Sequence, residues 1–451
     1  MIFQSKYPFT QEVIAEYETL TASELDQKLA LAKTAYQSWR KTSFAYRADL
    51  FEKIAQILET RSAEFGKLIT LEMGKAFAEA KGEVEKCASV CRYYAQNAES
   101  FLAPQSIFTV NDNKILHQST GAVFAIMPWN FPFWQVLRYA SAALMAGNVT
   151  VLKHAPNVVG CSLAIEKMFL EAGFPEGVFQ SLVVDIDAVE HIIASDIVQG
   201  ITLTGSERAG SSVASLAGKY IKKSVMELGG SDPVMILDDA DIEQAAAISV
   251  ASRLFNAGQT CISAKRFFVT EKNYEAFSDA FLRNFKNYKQ GDPFDASTKI
   301  GPLCRIDIAD NLYNQFDRVL KQGASVVYGG EREGCNFTPT LLTNVTPEMV
   351  VGKEETFGPL AGIFKVKDEA EMLYHVNNTP YGLGASIWSK DLEHAQRLAE
   401  EVEAGAVFIN AMVKSDARLP FGGIKRSGYG RELGKEGLLE FCNIKTVSIN
   451  P

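Results

Sequence analysis

GAVFAIMPWNFPFWQVLRYASAALMAGNVTVLKHAPN, residues 121–157, is the stretch that decides the fold. Val123-Phe124-Ala125-Ile126 is a short apolar run, and Val149-Thr150-Val151-Leu152 is a second. Between them residues 133–145 are apolar, free of proline and long enough for three helical turns. Run, helix, run with β-branched residues predicts parallel strands joined by a crossover helix. Working outward, further runs follow at 178–184, 201–203 and 224–226, with a helical stretch at 158–172. The alternation resumes at Pro233 and lasts to about Asn410. There the strands are expected at 234–237, 267–270, 325–328, 385–388 and 407–409, and helices at 241–253, 274–287 and 392–402. The fold class is therefore α/β, with two parallel-sheet domains joined near residues 227–232. Sheets of this kind bind nucleotides at the carboxyl ends of their strands.

The flanks read differently. From Ala22 to about Ser100 the period is helical, with Leu25, Leu29 and Ala32 on one face and Leu50, Ile54 and Leu58 on another. Residues 107–110 and 115–118 then flank Asn111-Asp112-Asn113, a hairpin turn, and suggest an arm. The tail, 440–449, reads as a strand with nothing after it, and a neighbouring subunit could supply the edge it needs.

The chain has 451 residues, enough for two large domains or three ordinary ones. Hydrophobic residues are 47% and charged residues 22%, so disorder and collagen-like structure are excluded. The net charge of −9 disfavours nucleic acid and anionic membranes as partners. No secretory leader is expected from MIFQSKYPFTQEV, and the apolar stretch 136–152 is too short and too broken to span a membrane. Seven scattered cysteines without a C-x-x-C pair argue against disulfides or structural zinc and for a cytoplasmic protein. Cys87 and Cys91, one helical turn apart, read as core packing.

No G-x-G-x-x-G fingerprint follows a strand. GSERAGSS at 205–212 has Walker spacing, but Ser211 stands where the phosphate-binding lysine belongs, so ATP hydrolysis is not expected. The segment is equally a pyrophosphate-binding helix start or a plain turn capped by Ser206. Cys261, in FNAGQTC, is an exposed cleft cysteine or an inert core one. Glu227, ending an apolar strand before Gly229 and Gly230, is a buried general base or a solvated strand end. Asn130, held in PWNFP, is an oxyanion donor or a helix cap. None of the five histidines has metal or serine-hydrolase spacing, and no metal site is expected.

Together these segments resemble the aldehyde dehydrogenase superfamily: PWNFP at 128–132, ELGG at 227–230, GQTC at 258–261, EETFGP at 354–359 and PFGGIKRSGYGRE at 420–432 occur in the family's order. The resemblance implies two Rossmann-like domains plus an oligomerisation arm. Residues 1–106 and 121–226 would bind cofactor, 227–410 would carry catalysis, and 107–120 with 430–451 would form the arm of a homodimer or homotetramer. It implies Cys261 as nucleophile, Glu227 as general base and Asn130 with the Cys261 N–H as oxyanion hole. Lys153 would hold the adenosine ribose, Gly205 and Ser206 the pyrophosphate, and Glu355 and Phe357 the nicotinamide ribose and ring. Pro128, Trp129, Ala155, Pro156 and Leu228 complete the implied cofactor set.

Pro156 stands where strictly NAD-using members often carry a glutamate, so NAD and NADP both remain open. Arg138, in an otherwise apolar helix, needs a partner: a distant carboxylate or a substrate's. With Ser415 it resembles the carboxylate site of succinate semialdehyde dehydrogenases, and KHAPN at 153–157, SDAR at 415–418 and EFCNIKTV at 440–447 resemble one bacterial branch of them. A second arginine of other branches would fall at Phe255, and Arg418 is the expected substitute. The expected substrate is thus a small aldehyde bearing a carboxylate, namely succinate semialdehyde; the alternative is a broad-specificity enzyme for medium-chain aldehydes.

Overall fold

Alternating apolar runs become two separate sheets in the computed structural model, which describes residues 1–108 and 112–449. The first has six strands in the spatial order Gly428–Tyr429, Lys223–Glu227, Val198–Thr204, Ala122–Met127, Val149–His154, Phe179–Ser181. All its pairs are parallel except the first. Ala122–Met127 is central and almost wholly buried, which is why it reads as a continuous apolar run rather than an alternation. The register aligns Met127 with His154 and Thr204 with Glu227, so these residues end their strands at one edge of the sheet. Trp134–Met145 and Val159–Glu171 are the crossover helices.

The second sheet has seven strands: Ser325–Tyr328, Thr340–Thr343, Leu360–Val366, Ala264–Thr270, Asp232–Ile236, Gly384–Trp388, Ala406–Ile409. Thr340–Thr343 and Leu360–Val366 are additional to the strands expected from sequence. Leu360–Val366 carries Ala361 and Gly362 at its start, which weaken its β signal. An unanticipated strongly amphipathic helix, Ile306–Lys321, covers this sheet through Leu312, Phe316 and Val319. The expected strand at 178–184 shrinks to Phe179–Ser181.

Four helices precede the sheets: Ala22–Trp39, Phe44–Thr60, Ser62–Met73 and Phe77–Leu102. The first opens on a capping box in which the Thr21 hydroxyl accepts from the Glu24 N–H while Glu24 accepts from Thr21. An antiparallel pair, Ile2–Lys6 with Val13–Glu18, lies before them and had no counterpart in the sequence reading. Cys87 and Cys91 are buried in the core of the first unit.

The tail strand corrects an expectation. Cys442–Ile449 does not wait for a neighbour: it pairs antiparallel with Asp112–Ser119 of its own chain, which also pairs with Gln105–Phe108. The ladder, eight residues long, was invisible from sequence because the partners lie more than 320 residues apart. Asp112 and Asn113, expected in the hairpin turn, belong to the strand; Asn111, with Thr109 and Val110, lies outside the described residues. Residues 434–439 form a short helix packed on Phe77–Leu102 and Trp134–Met145, so the projecting sheet begins at Cys442. Among the described residues no helix is long and apolar enough to cross a membrane.

Candidate active site

Topology brings the motifs together. Asp232–Ile236, Ala264–Thr270 and Leu360–Val366 are adjacent in the second sheet, so the loops entering them, with Gly229, Cys261 and Phe357, are adjacent too. They face the carboxyl edge of the first sheet, where Glu227 and Thr204 end. The site therefore lies where one sheet's strand ends meet the other's strand starts.

The loop bearing Cys261 is held from several sides. Asn256 and Ala257 both have φ of 53°, a left-handed conformation that costs energy unless surroundings enforce it. Here the Asn256 N–H donates to Glu79 (3.0 Å), and its amide donates to the carbonyls of Asn130 (2.9 Å) and Gln259 (3.2 Å). Gly258 has φ of +72°, and a Cβ there would stand 2.4 Å from the Gly358 carbonyl oxygen, so only glycine fits. Buried Lys265 donates to the carbonyls of Thr260 (3.0 Å) and Cys261 (2.7 Å) and pairs with Glu355 (3.2 Å). Arg253 ties Ser263 (3.1 Å) to the Thr356 carbonyl (2.9 Å). Lys265 and Arg253 belong to no motif; the signal they carried was a charge within a fully buried strand and at the buried end of a helix, which tertiary structure alone reveals.

Cys261 is partly exposed, but burial of its sulfur pushes the thiol up to about 12 against the opposing pull of Lys265 and Arg138. Among the described residues its backbone N–H has no acceptor. Asn130 is not a helix cap: the helix begins at Trp134, and the Glu83 carboxylate accepts from its first N–H groups, those of Phe133 (2.9 Å) and Trp134 (3.0 Å). Instead the Asn130 Oδ1 accepts from Gln135 (3.0 Å) and its Nδ2 donates to the Gln259 carbonyl (2.9 Å), which leaves the second Nδ2 hydrogen unused. Glu227 is 2% exposed and neither carboxyl oxygen has a hydrogen-bond partner among the described residues. Burial holds its carboxyl well above the usual range, and the charges of Arg138 and Arg431 pull the other way. A buried carboxyl of this kind favours its protonated form and, once ionised, is a stronger base than an exposed one.

Two cavities meet at Cys261. The first, of about 260 Å³, is lined by Pro128, Trp129, Asn130, Gly205, Ser206, Leu228, Glu355 and Phe357. Trp129 and Phe357 stand edge to face, their rings 5.8 Å apart. Ser206 caps the 13-residue helix Glu207–Lys219, and that helix start opens on the cavity. A Cβ on Gly229 would lie 2.4 Å from the Glu355 carboxylate, so glycine is what lets Glu355 swing over the strand end. An aromatic slot, a carboxylate and a helix N-terminus in line fit a dinucleotide. Lys153, Ala155 and Pro156 do not line this cavity; they sit at the end of the next strand, Val149–His154. There the Ala155 N–H donates to His154 Nδ1 (2.9 Å), leaving Nε2 to donate to the Pro132 carbonyl (2.9 Å). Burial pushes that imidazole down to about 4, so His154 is a neutral structural group.

The second cavity, of about 340 Å³, shares Cys261 and Gln135 with the first. Its walls include Phe131, Trp134, Phe255 and Phe421, and its charged groups include Arg138 and Lys86. Arg138 already holds a carboxylate: its Nε is ion-paired with Glu432, buried like itself, its Nη2 donates to Thr204 (3.3 Å), and Phe421 lies against its face. Of the two partners weighed from sequence, the distant carboxylate is the one observed. Arg418, the expected substitute for an arginine at Phe255, is 75% exposed, paired with Asp416 (2.6 Å) and absent from the cavity wall. A two-residue spacing within a surface turn favours that local pair over any reach inward. Lys86 and Lys414 also reach the wall with Arg138, and the Lys86 Nζ donates to Ser415 (2.7 Å).

Comparison with known proteins agrees with this geometry. Residues 2–447 match the model of the aldehyde dehydrogenase family. A probable NADP-dependent succinate-semialdehyde dehydrogenase of Synechocystis is 48% identical over 98% of both chains. An NAD(P)-dependent succinate semialdehyde dehydrogenase of Escherichia coli is 42% identical over 98% of this chain and 96% of its own. The crystal structure of the succinic semialdehyde dehydrogenase of Streptococcus pyogenes with NADP superposes with a TM-score of 0.97, at 39% identity and full coverage of both chains.

Proposed function

The chain belongs to the aldehyde dehydrogenase family, and on that premise we propose that it oxidises succinate semialdehyde to succinate, with NADP preferred to NAD as the electron acceptor. The observation that carries this reading is the position of Cys261 between a cavity suited to a dinucleotide and one with unmatched positive charge.

The Cys261 thiolate attacks the aldehyde carbon and forms a hemithioacetal. Its oxyanion takes the free Nδ2 hydrogen of Asn130 and the Cys261 N–H, each worth about 10²-fold or more in rate. When bound, a nicotinamide dinucleotide supplies the hydride acceptor. Gly205, Ser206 and the helix start after them would hold its pyrophosphate, Glu355 and Phe357 its nicotinamide end, and Lys153 with Ala155 its adenosine end. Pro156 leaves room for a 2′-phosphate without a repelling carboxylate. Loss of hydride leaves a thioester on Cys261, and Glu227, once ionised, draws a proton from water that hydrolyses it. The substrate's carboxylate is received on the wall that includes Arg138 and Ser415.

The test is a substrate panel with both cofactors and product identification with and without coenzyme A. Free succinate and a strong preference for succinate semialdehyde over butanal support the reading; comparable efficiency on both would leave the second reading, a broad-specificity aldehyde dehydrogenase, which the aromatic lining of the substrate cavity favours. We further propose a homodimer or homotetramer in the cytoplasm, built on the projecting three-stranded sheet. Its exposed Ile107, Ile444 and Ile449 support assembly, and the seven free thiols suit a reducing compartment. A sedimentation coefficient for a stable 49.5 kDa monomer at micromolar concentration would refute the assembly.

A further inference from the structure

The substrate cavity contains a cation that has no ion-pair partner among the described residues. Lys86 lies on the helix Phe77–Leu102, and its ammonium stands 4.1 Å from the centre of the Trp134 ring. Its Nζ donates to Ser415 Oγ at 2.7 Å, and among the described residues it forms no ion pair. The other cations near the cavity are accounted for. Arg138 is neutralised by Glu432, Arg418 by Asp416, and Lys75 by Glu83; Lys414 is solvated at the rim.

Lys86 is half-buried, and a partly desolvated ammonium without a counter-ion is costly. Burial and the nearby Arg138 charge push Lys86 down to about 8, although Glu83 and Asp416 partly offset them. An arriving carboxylate relieves that cost. Ser415 completes the receptor: its oxygen accepts from Lys86, so its own O–H is free to donate. Ammonium and hydroxyl together present donors to both oxygens of a carboxylate.

We propose that the Lys86–Ser415 pair is the direct receptor for the substrate's carboxylate, and that Arg138, held back by Glu432, is a positioning residue behind it. This rests on the reading that the cavity takes an aldehyde bearing a carboxylate. It also explains how the chain manages with Phe255 at a position where an arginine was expected: the charge enters from a different helix.

The experiment measures kcat/KM for succinate semialdehyde and for butanal in the full-length enzyme with NADP. Lys86→Met is expected to lower the ratio of the two by roughly 10- to 150-fold, mostly through KM, the equivalent of one charge-assisted contact. Lys86→Arg should recover most of the ratio. Ser415→Ala should lower it by about five- to tenfold, the size of a neutral contact, and Lys86→Gln, which keeps a polar side chain without the charge, reads the same ratio if Lys86→Met does not fold. In parallel, titration of succinate into Cys261→Ala protein should show the same loss of affinity when Lys86→Met is added. An unchanged ratio in Ser415→Ala or Lys86→Met, or a ratio that collapses only in Arg138→Met, overturns the proposal. A wild-type ratio near one sinks the substrate reading itself, which is a separate outcome from a high wild-type ratio that Lys86→Met leaves intact.

Discussion

The two cavities that meet at Cys261 are built on different principles. The dinucleotide side is made by strand ends, a helix start, glycines and two aromatic rings, drawn from compact motifs such as PWNFP, ELGG and TFGP. The substrate side is made by single side chains from separate elements: Lys86 and Trp134 on two helices, Ser415 on a late loop, and Arg138 backed by Glu432 from still further along. Backbone geometry serves a ligand shared by a whole family, whereas isolated side chains tune the ligand that differs between its members. A change on the dinucleotide side should therefore affect all aldehydes alike, and one on the substrate side should discriminate among them.

The most severe break is at the junction. Cys261→Ala removes the proposed nucleophile at which both cavities meet, and turnover of every aldehyde should fall by about 10⁴-fold or more while cofactor binding, followed by fluorescence, persists. Glu227→Gln should lower steady-state turnover by roughly 10²- to 10⁴-fold. A first-turnover burst of reduced cofactor should survive, since deacylation follows hydride transfer; loss of the burst to the same degree would assign Glu227 to an earlier step.

Arg138→Ala tests whether that residue belongs to the cavity or to the core. It leaves the buried Glu432 carboxylate unpaired, which costs about 3–5 kcal/mol, so thermal stability should drop and both aldehydes should lose efficiency together. A selective loss on succinate semialdehyde with unchanged melting would make Arg138 the carboxylate contact after all.

The pH dependence separates the cavities again. Because the Cys261 thiol is raised to about 12, the reactive thiolate becomes commoner as pH rises, and kcat/KM for butanal should climb from pH 6 to 9. Lys86 is faced by Glu83 and Cys87 on its own helix, Arg138 on the next and Asp416 on the loop, and it loses its proton near 8. For succinate semialdehyde the climb should therefore flatten above that pH, since kcat/KM reports the free enzyme's groups. Parallel profiles for the two aldehydes would contradict this. The smallest effect is expected from Arg418→Ala, within about twofold on either substrate, because an exposed pair with Asp416 contributes at most about 1 kcal/mol.

Much of this was legible in the sequence. The short apolar runs between helical stretches located both sheets, since a strand buried on both faces must be apolar throughout, as 122–127 is. The motif residues Cys261, Glu227 and Asn130 were legible because turns, glycines and prolines constrain the backbone locally, and local constraint is what a linear pattern records. Tertiary structure decided the rest. It paired Cys442–Ile449 with Asp112–Ser119, matched Arg138 to Glu432 and left Lys86 to Ser415, contacts spanning 294 to 337 residues of chain. No local propensity encodes which distant side chain a charge will meet. That choice is made when packing removes water and every buried charge must find a partner, within the chain or in the substrate.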